Sequence, residues 1–230
     1  MNRAEEDYIK MIYELQDDTQ KPYVKGTVLA EKFEYTLQSV NEMLKRLESK
    51  GYLSYVPYKG VQLTNEGKEE AIRLVRAHRI WETFLGDKLN LPWEKLHQEA
   101  EQLEHASSDL VIEKLYEYLK KPLYCKHGNP IPDQDGNIPK TYRMSIYECP
   151  KNNYFKICRV LDYAPLLKHL NILDIHLNDI VKVESFDTFT EVITLTKSKK
   201  KITMTKQVAQ MIFGEVINDY ALQSDKTKSH

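Results

Sequence analysis

Carboxylate and imidazole side chains recur at helical spacing in the middle of the chain, and both kinds of side chain bind divalent metal ions. The set consists of His78, Glu82, His97, Glu101, Glu104 and His105. An α-helix repeats every 3.6 residues, so we expect Glu101, Glu104 and His105 to lie on one side of a single helix. Crowded carboxylates repel each other, and a divalent cation is the simplest partner that makes their closeness favourable. The pattern therefore predicts a metal site.

A catalytic metal in a hydrolase or oxidase would use the same residue types, but it also requires an open coordination position and a general base. The sequence contains no HExxH motif, no GxSxG motif and no phosphate-binding glycine loop. We therefore predict that the chain is not an enzyme, and we keep a metalloenzyme as the alternative from another class.

The composition describes a globular protein of 230 residues with 29% charged and 41% apolar residues, a length that suits two or three small domains. No apolar run approaches the roughly 18 to 20 residues that span a bilayer, and the first residues are too acidic and polar for a secretory signal. We expect a cytoplasmic protein without a membrane partner. Three cysteines without a CxxC pair argue against a disulfide framework.

The N-terminal elements follow the order of a winged helix-turn-helix. Apolar periodicity predicts helices over 4–17, 25–33 and 37–49, followed by strands over 52–57 and 60–64. Residues 1–70 carry a net charge of −3, from 10 Lys/Arg and 13 Asp/Glu. Residues 36–60 carry a net charge of +2, from 4 Lys/Arg and 2 Asp/Glu. A modestly basic strip therefore lies inside an acidic domain.

We expect helix 37–49 to enter the major groove of DNA, where base edges are distinguishable. The candidate base readers are Gln38, Ser39 and Asn41, and the candidate phosphate contacts are Lys45, Arg46 and Lys59. So few positive charges predict weak binding by one subunit. A homodimer on a palindromic operator would present two reading helices, with half-sites separated by about 34 to 36 Å.

The remaining elements divide the chain into further domains. Helical periodicity continues over 66–89, in a helix starting near Pro92 and in a helix after Ser107. Residues 121–150 contain five of the nine prolines and form a linker. Beyond it the pattern predicts strands over 154–161, 180–186, 192–196 and 201–205, a short helix over 165–173 and a closing segment over 207–213. We predict domains at 1–72, 73–140 and 141–217, and a polar, disordered tail at 218–230.

Five motifs occur in a specific order along nearly the whole chain. They are Glu6-Asp7-Tyr8-Ile9, Leu63-Thr64-x2-Gly67, His78-Arg79-x2-Glu82, Ala100-Glu101-x2-Glu104-His105 and His127-Gly128-Asn129-Pro130-Ile131-Pro132. In order and spacing they resemble the diphtheria-toxin-repressor family of metal-dependent transcription regulators, and within it the manganese-sensing branch. The resemblance implies a mainly α fold with small β parts: a winged helix-turn-helix, a helical dimerisation and metal-binding domain, and a C-terminal SH3-like small β-barrel.

The resemblance also implies two metal sites. The regulatory site would use Asp7, His78, Glu101, Glu104 and His105. The second site would use Glu82, Cys125, His127 and Asp162, with His97 nearby as an ancillary candidate. Some manganese sensors carry another carboxylate three residues after the position of Asp7, where this chain has Lys10. Whether the regulatory site holds two ions is therefore left open.

The implied function is a Mn²⁺-dependent repressor of metal-uptake genes, in which the metal joins the DNA-binding domain to the dimerisation domain. The iron-sensing branch carries a methionine at the position of Asp7 and a cysteine at that of Glu101. Hard oxygen donors favour a hard ion such as Mn²⁺. An Fe²⁺-responsive repressor is the first alternative, and a Zn²⁺ sensor that uses Cys125 is another.

Overall fold

The computed structural model describes residues 1–217, and the predicted tail at 218–230 lies outside the described residues. The helices are α1 (Arg3–Thr19), α2 (Gly26–Phe33), α3 (Leu37–Ser49), α4 (Asn65–Leu89), α5 (Trp93–Leu103), α6 (Asp109–Tyr118), α7 (Ala164–Leu173) and α8 (Lys206–Ala209). The strands are β1 (Leu53–Val56), β2 (Gly60–Leu63), β3 (Met144–Ser145), β4 (Tyr154–Val160), β5 (Ile180–Asp187), β6 (Val192–Lys197), β7 (Lys200–Thr205) and β8 (Ile212–Ile217). The predicted class, mainly α with small β parts, is confirmed.

The chain forms two compact units, each assembled from several segments. The first unit contains Met1–Trp81, Ala100–Lys121 and Ile131–Ile138. The second contains Glu82–Glu99, Pro122–Pro130 and, within the described residues, 139–217. The domain boundaries drawn from the sequence at 72 and 140 stay predictions.

The first unit begins with the winged helix-turn-helix. A capping box formed by Asn2 and Glu5 starts α1, and the Thr36 side chain accepts a hydrogen bond from Ser39 N at the start of α3. The inward-facing apolar residues of these helices are fully buried, among them Ile9, Ile12, Leu29, Val40 and Leu47. Strands β1 and β2 form the antiparallel wing, with Leu53 opposite Leu63. Because each helix buries its apolar face in this core, α3 is held with its polar face toward solvent.

Helix α5 ends at Leu103, so the prediction that Glu104 and His105 belong to the same regular helix as Glu101 was wrong. The Ser107 hydroxyl donates to the Leu103 carbonyl oxygen at 2.6 Å, and Ala106 N donates to the same oxygen at 3.2 Å. These bonds close a tight turn at the helix end, and Ser108 then caps α6. Glu104 and His105 lie in this turn.

Helix α6 turns only one of its faces toward the interior. Leu110 is 70% exposed, whereas Ile112 and Tyr116 are buried. The start of α6 after Ser108 sets this helical phase, so Ile112 and Tyr116, four positions apart, share the inner face.

The second unit contains a six-stranded antiparallel sheet in the order β3-β8-β4-β5-β6-β7. Strand β8 lies between β3 and β4, with Phe155 opposite Val216. Phe155, Ile157, Leu167, Leu195 and Ile212 belong to its core. Within the described part of the chain, no helix has an apolar stretch long enough to cross a membrane.

Candidate metal centres and nucleic-acid interface

Four predicted ligands of the regulatory site converge in the first unit. One donor atom each from Asp7, Glu101, Glu104 and His105 lies within 4.8 Å of the other three. Asp7 comes from α1, Glu101 from α5, and Glu104 and His105 from the turn that follows. Glu104 is fully buried and the others are half-buried. Burial, together with the negative charge of Glu101, raises the pKa of Asp7 against an opposing effect of His105.

The imidazole of His105 is oriented by a residue that the sequence analysis did not select. Nδ1 of His105 lies 2.6 Å from Glu6 Oε2, and Glu6 Oε1 lies 3.6 Å from an amino group of Arg73. A carboxylate acceptor holds the proton on Nδ1, which leaves the Nε2 lone pair for a metal. The motif containing Glu6 was recognised from the sequence, but one residue cannot be paired with another 99 positions away without the fold.

The ammonium group of Lys10 lies among the acidic ligands. Nζ of Lys10 lies 2.8 Å from Glu101 Oε1, 2.9 Å from Glu104 Oε1, 2.8 Å from Glu104 Oε2 and 3.1 Å from His78 Nδ1. Lys10 is only 3% exposed. Burial acts to lower its pKa, but Glu14, Glu104 and Glu101 outweigh that effect, so the pKa is raised and the side chain is a cation.

His78 lies beside the four-residue group rather than within it. Its Nδ1 contacts Glu104 Oε2 and faces the ammonium of Lys10. The group of donors within 4.8 Å of one another contains Asp7, Glu101, Glu104 and His105 but not His78. His78 therefore lies next to Lys10, at the edge of the cluster.

The four residues fit a divalent ion on two observations. Among the described residues, His105 Nε2 is buried without a hydrogen-bond partner, although Asp7 Oδ1 is 2.8 Å and Glu104 Oε1 is 3.3 Å away. An imidazole nitrogen between two carboxylate oxygens is accounted for by coordination to a shared cation. The donor set of three carboxylates and one imidazole suits Mn²⁺ or Fe²⁺ better than a soft ion.

The predicted ligands of the second site converge in the second unit. Donor atoms of Glu82, Cys125 and His127 lie within 4.8 Å of one another, and all three residues are buried. Asp162 Oδ2 lies 3.5 Å from His127 Nδ1. The four residues chosen from the sequence are thus together.

His127 is held in a defined orientation. Nε2 of His127 lies 2.8 Å from the carbonyl oxygen of Trp93, and Nδ1 lies 3.0 Å from Glu82 Oε1. Burial lowers the pKa of His127, but Glu82, Cys125 and Asp162 outweigh it and raise the pKa to about 12. The proton on His127 thus offsets part of the negative charge of Glu82 and Asp162, and a bound metal ion would take over this role. Because Nε2–H donates to the carbonyl, Nδ1 is the atom available to a metal.

His97, the ancillary candidate, lies at the rim of this second cluster. Its Nδ1 lies 2.9 Å from Asp162 Oδ2, and its side chain is 49% exposed. Donor atoms of Glu82, His97 and Asp162 also lie within 4.8 Å of one another. His97 can therefore orient Asp162 or join it as a ligand.

The candidate DNA-reading residues lie on the outer face of α3. Gln38, Ser39, Asn41, Lys45 and Arg46 are all exposed. Gln38 Nε2 donates to Glu42 Oε1 at 3.2 Å. Lys59 lies in the wing turn, with its Nζ 5.1 Å from the ring centre of Tyr23. Polar and basic groups are therefore exposed on α3 and on the wing turn.

Two basic residues, one in α3 and one at its C-terminal cap, are bound to α1. Nε of Arg46 lies 2.6 Å from Glu5 Oε1, and Nζ of Lys50 lies 2.7 Å from the same oxygen. The Glu5 side chain is fully buried, and the hydrogen bond from Lys50 contributes most to lowering its pKa. Part of the positive strip therefore fixes the reading helix to the helix that carries Asp7.

Known protein families match both the DNA-binding segment and the metal-binding segment of the chain. Residues 1–61 match the family described as "Iron dependent repressor, N-terminal DNA binding domain", and residues 64–133 match "Iron dependent repressor, metal binding and dimerisation domain". The diphtheria toxin repressor of Corynebacterium glutamicum is 31% identical over 186 residues, which cover 80% of this chain and 76% of that protein. The chain belongs to the diphtheria-toxin-repressor family.

Other members of the diphtheria-toxin-repressor family are also similar. The iron-dependent repressor IdeR of Mycobacterium leprae is 35% identical over 125 residues, 54% of each chain. The chain thus spans about half the length of the first curated relatives it matches. A solved structure of the manganese regulator SloR is 30% identical, with a TM-score of 0.80 over 93% of this chain and 98% of that one.

Membership in a family of metal-dependent repressors confirms the prediction that the chain is not an enzyme. The match also assigns the clustered ligands to named domains. Asp7 lies in the segment that matches the DNA-binding domain, whereas Glu101, Glu104 and His105 lie in the segment that matches the metal-binding and dimerisation domain. The regulatory group therefore joins residues of both domains within one unit.

Proposed function

We propose that the protein is a Mn²⁺-dependent transcriptional repressor that binds palindromic operators of metal-uptake genes as a cytoplasmic homodimer. The observation that carries this proposal is the convergence of Asp7 with Glu101, Glu104 and His105, since it connects the DNA-binding segment to the dimerisation segment. A bound divalent ion supplies positive charge and coordination bonds to these four side chains.

The residues of α1 transmit the position of Asp7 to the reading helix. Asp7 and Glu5 lie on the same helix, and Glu5 binds Arg46 of α3 and Lys50 at the C-terminal cap of α3. When Asp7 is held against Glu104 and His105, α1 is fixed relative to the dimerisation segment, and α3 is fixed through Glu5. Two reading helices then keep the separation that a two-fold operator requires.

Manganese is the proposed ion because oxygen donors dominate the regulatory group. The similarity to the manganese regulator SloR supports the same choice. Fe²⁺ is the second candidate, since the curated relatives include iron-dependent repressors. In the second site, we propose that Glu82, Cys125, His127 and Asp162 hold another ion, with His97 supporting Asp162.

At the operator, the base readers are Gln38, Ser39 and Asn41, and the phosphate contacts are Lys45, Arg46 and Lys59. Direct hydrogen bonds from amide side chains to base edges supply sequence specificity, whereas the cations supply salt-sensitive affinity. Gln38 must exchange its hydrogen bond with Glu42 for one with a base.

The test is a gel-shift titration of genomic operator fragments with Mn²⁺, Fe²⁺ or Zn²⁺ supplied separately. Mn²⁺ is expected to tighten DNA binding by about 5- to 150-fold, the range of a coupling of about 1 to 3 kcal/mol. Asp7→Ala is expected to dimerise normally but to bind DNA equally with and without metal. Glu31→Ala, which removes an exposed carboxylate of α2, is the matched control. Unchanged metal dependence in Asp7→Ala would contradict the proposal.

A further inference from the structure

The β6–β7 hairpin of the second unit has a run of basic residues at its turn, Lys197-Ser198-Lys199-Lys200-Lys201. Ser198 and Lys199 form the two-residue turn with φ values of +48° and +71°, and Lys197 pairs with Lys200 across the ladder. Two consecutive positive φ values are typical of a type I′ turn, whose twist matches that of the flanking strands. The hairpin therefore brings four lysines together at its closed end.

Three of these lysines have no acidic partner. Lys199, Lys200 and Lys201 are exposed, and they form no ion pair in the part of the chain that the structure describes. Lys197 differs, because its Nζ lies 2.7 Å from Asp179 Oδ2. Other lysines of the second unit also pair with a carboxylate, namely Lys140, Lys182 and Lys206. Lys197 thus ties down the base of the turn, and the three ammonium groups beyond it remain uncompensated.

The face of the hairpin that carries Lys201 also carries hydroxyl groups. Thr196 lies opposite Lys201, and Thr194 lies opposite Thr203. Residues paired in this way point to the same side of a sheet. The alternate positions face the core and are Ile193, Leu195, Ile202 and Met204. Neither β6 nor β7 contains Asp or Glu. The outer face therefore offers ammonium and hydroxyl donors without a competing carboxylate.

Such a set of donors fits phosphate groups. Lysine binds phosphate as a point charge on a flexible stem, and threonine hydroxyls also contact phosphate oxygens. Surfaces that lie on membranes combine basic residues with large exposed apolar side chains. Among the described residues, no large apolar side chain is exposed between 190 and 217, and the exposed Phe189 lies at the other end of β6 from the turn. The hairpin accordingly fits the backbone of a nucleic acid better than a lipid surface.

We propose that the β6–β7 hairpin is a second DNA-contact surface, in which Lys199, Lys200 and Lys201 bind phosphate groups of duplex DNA without regard to base sequence. The inference rests on the proposed function, because it takes DNA as the polyanion that the protein meets. The reading residues of α3 supply specificity, and the hairpin adds salt-dependent affinity. Three further cations exceed the net charge of +2 that residues 36–60 carry, so their contribution is large.

Lysines at this position have another explanation, the protection of a sheet edge. Strand β7 is the last in the described sheet order, and lysines on an edge strand hinder its pairing with another chain. This role accounts for Lys200 and Lys201, whereas Lys199 lies in the turn outside the strand. The two explanations predict different results when the charges are removed.

The test removes the three charges from the full chain by Lys199→Gln, Lys200→Gln and Lys201→Gln. Fluorescence anisotropy measures binding to the operator and to random duplex DNA at several salt concentrations, and circular dichroism establishes that the variant is folded. Near 0.1 M salt we expect both affinities to fall by about 10-fold or more, and the slope of log K against log salt to become shallower by about 2 to 3. Unchanged affinities and slope would overturn the inference.

Two control variants separate the position of the charges from their number. Lysine-to-arginine substitution at the same three positions keeps the charges and is expected to keep binding to both DNAs. Lys95→Gln, Lys151→Gln and Lys168→Gln remove three exposed charges scattered over the same unit, and we expect the slope to change by less than about 1. An equal loss in the scattered variant would assign the effect to net charge and overturn the role of the hairpin.

Each competing outcome has its own signature. If the glutamine variant of the hairpin loses binding to vesicles of phosphatidylcholine and phosphatidylglycerol but not to DNA, the surface binds lipid and the inference fails. If that variant aggregates in size-exclusion chromatography with unchanged DNA binding, the lysines protect the sheet edge and the inference also fails.

The proposed function fails separately, when the parent chain binds the operator without any dependence on Mn²⁺. Random duplex DNA is therefore also titrated without metal, and a loss there in the glutamine variant still supports the hairpin contact. If the parent chain shows the expected Mn²⁺ dependence and the glutamine variant matches it on both DNAs, the proposed function stands and the inference fails.

Discussion

Glu6 Oε2 lies 2.6 Å from Nδ1 of His105, across 99 positions of the sequence. This hydrogen bond fixes both the plane of the imidazole and the position of its proton. Nε2 consequently faces Asp7 and Glu104 as a lone-pair donor. A residue that touches no ion in our proposal thus decides whether His105 can bind one.

Glu6→Gln is expected to weaken Mn²⁺ binding at the regulatory site by about 10- to 100-fold, the usual cost of losing such a supporting carboxylate. The amide can still hydrogen-bond to the ring, but it stabilises Nδ1–H less well and can donate to the other tautomer. Calorimetry measures the affinity, and Glu31→Gln on the exposed face of α2 is the control. An unchanged affinity would show that Glu6 does not orient His105.

Gly128 ends the turn that carries Cys125 and His127, where its N–H donates to the Cys125 carbonyl oxygen at 3.0 Å, and it packs against β4. Its φ is +81°, and an added Cβ would lie 2.0 Å from the carbonyl oxygen of Cys158. Gly128→Ala is expected to displace His127, to lower the stability of the second unit by more than about 1 kcal/mol and to remove one Mn²⁺ from the total count.

Gly136 is a matched control for that substitution. Its φ is +79°, but an added Cβ would meet nothing closer than Ile72 at 3.8 Å. Gly136→Ala therefore carries the same backbone strain without the collision, and we expect it to retain the full metal count. Equal metal loss in both variants would mean that backbone strain, rather than the position of His127, is responsible.

Glu5→Gln tests the connection between α1 and α3. The substitution leaves Arg46 and Lys50 without their shared buried carboxylate, and we expect a loss of about 1 to 3 kcal/mol in the free energy of unfolding, measured by urea titration. We also expect weaker operator binding at saturating Mn²⁺, with an unchanged Mn²⁺ affinity. If operator affinity falls only in proportion to metal affinity, Glu5 does not position the reading helix.

The basic and amide groups on the outer face are expected to affect DNA binding differently. Lys59→Ala should weaken binding to all sequences and reduce the slope of log K against log salt by about 1. Asn41→Ala should cost about 1 to 3 kcal/mol on the operator and little on random DNA. Fluorescence anisotropy at several salt concentrations separates these results, and equal losses on both DNAs would remove Asn41 from the base readers.

The sequence predicts most of the local structure because the winged helix-turn-helix and the C-terminal sheet have strong apolar periodicity. Helix α3 has the predicted bounds, and six of the eight described strands end within one residue of the predicted positions. Strand β3 lies in the stretch predicted as a linker, and β8 runs beyond the closing segment predicted over 207–213. The end of α5 was misplaced, since apolar spacing does not reveal that Ser107 bonds back to Leu103. Side-chain bonds of this kind compete with helix continuation.

The site was predicted from residue types, but its internal connections were not. The order of the motifs assigned Asp7 to the same site as Glu101, Glu104 and His105. The structure places donor atoms of these four residues within 4.8 Å of one another. The contacts of Lys10 with Glu101 and Glu104 span more than 90 positions, so no spacing rule reports them. The sequence identified Lys10 only as a departure from a pattern, whereas the structure shows which side chains it contacts.

A covalently attached cation in the acidic cluster also changes what metal binding must overcome. The ammonium of Lys10 lies within 2.9 Å of the carboxylates of both Glu101 and Glu104. It offsets part of their mutual repulsion before any ion binds, so these ligands are held close together in the metal-free protein. An ion that enters such a pre-ordered site loses less of its binding free energy to arranging the side chains.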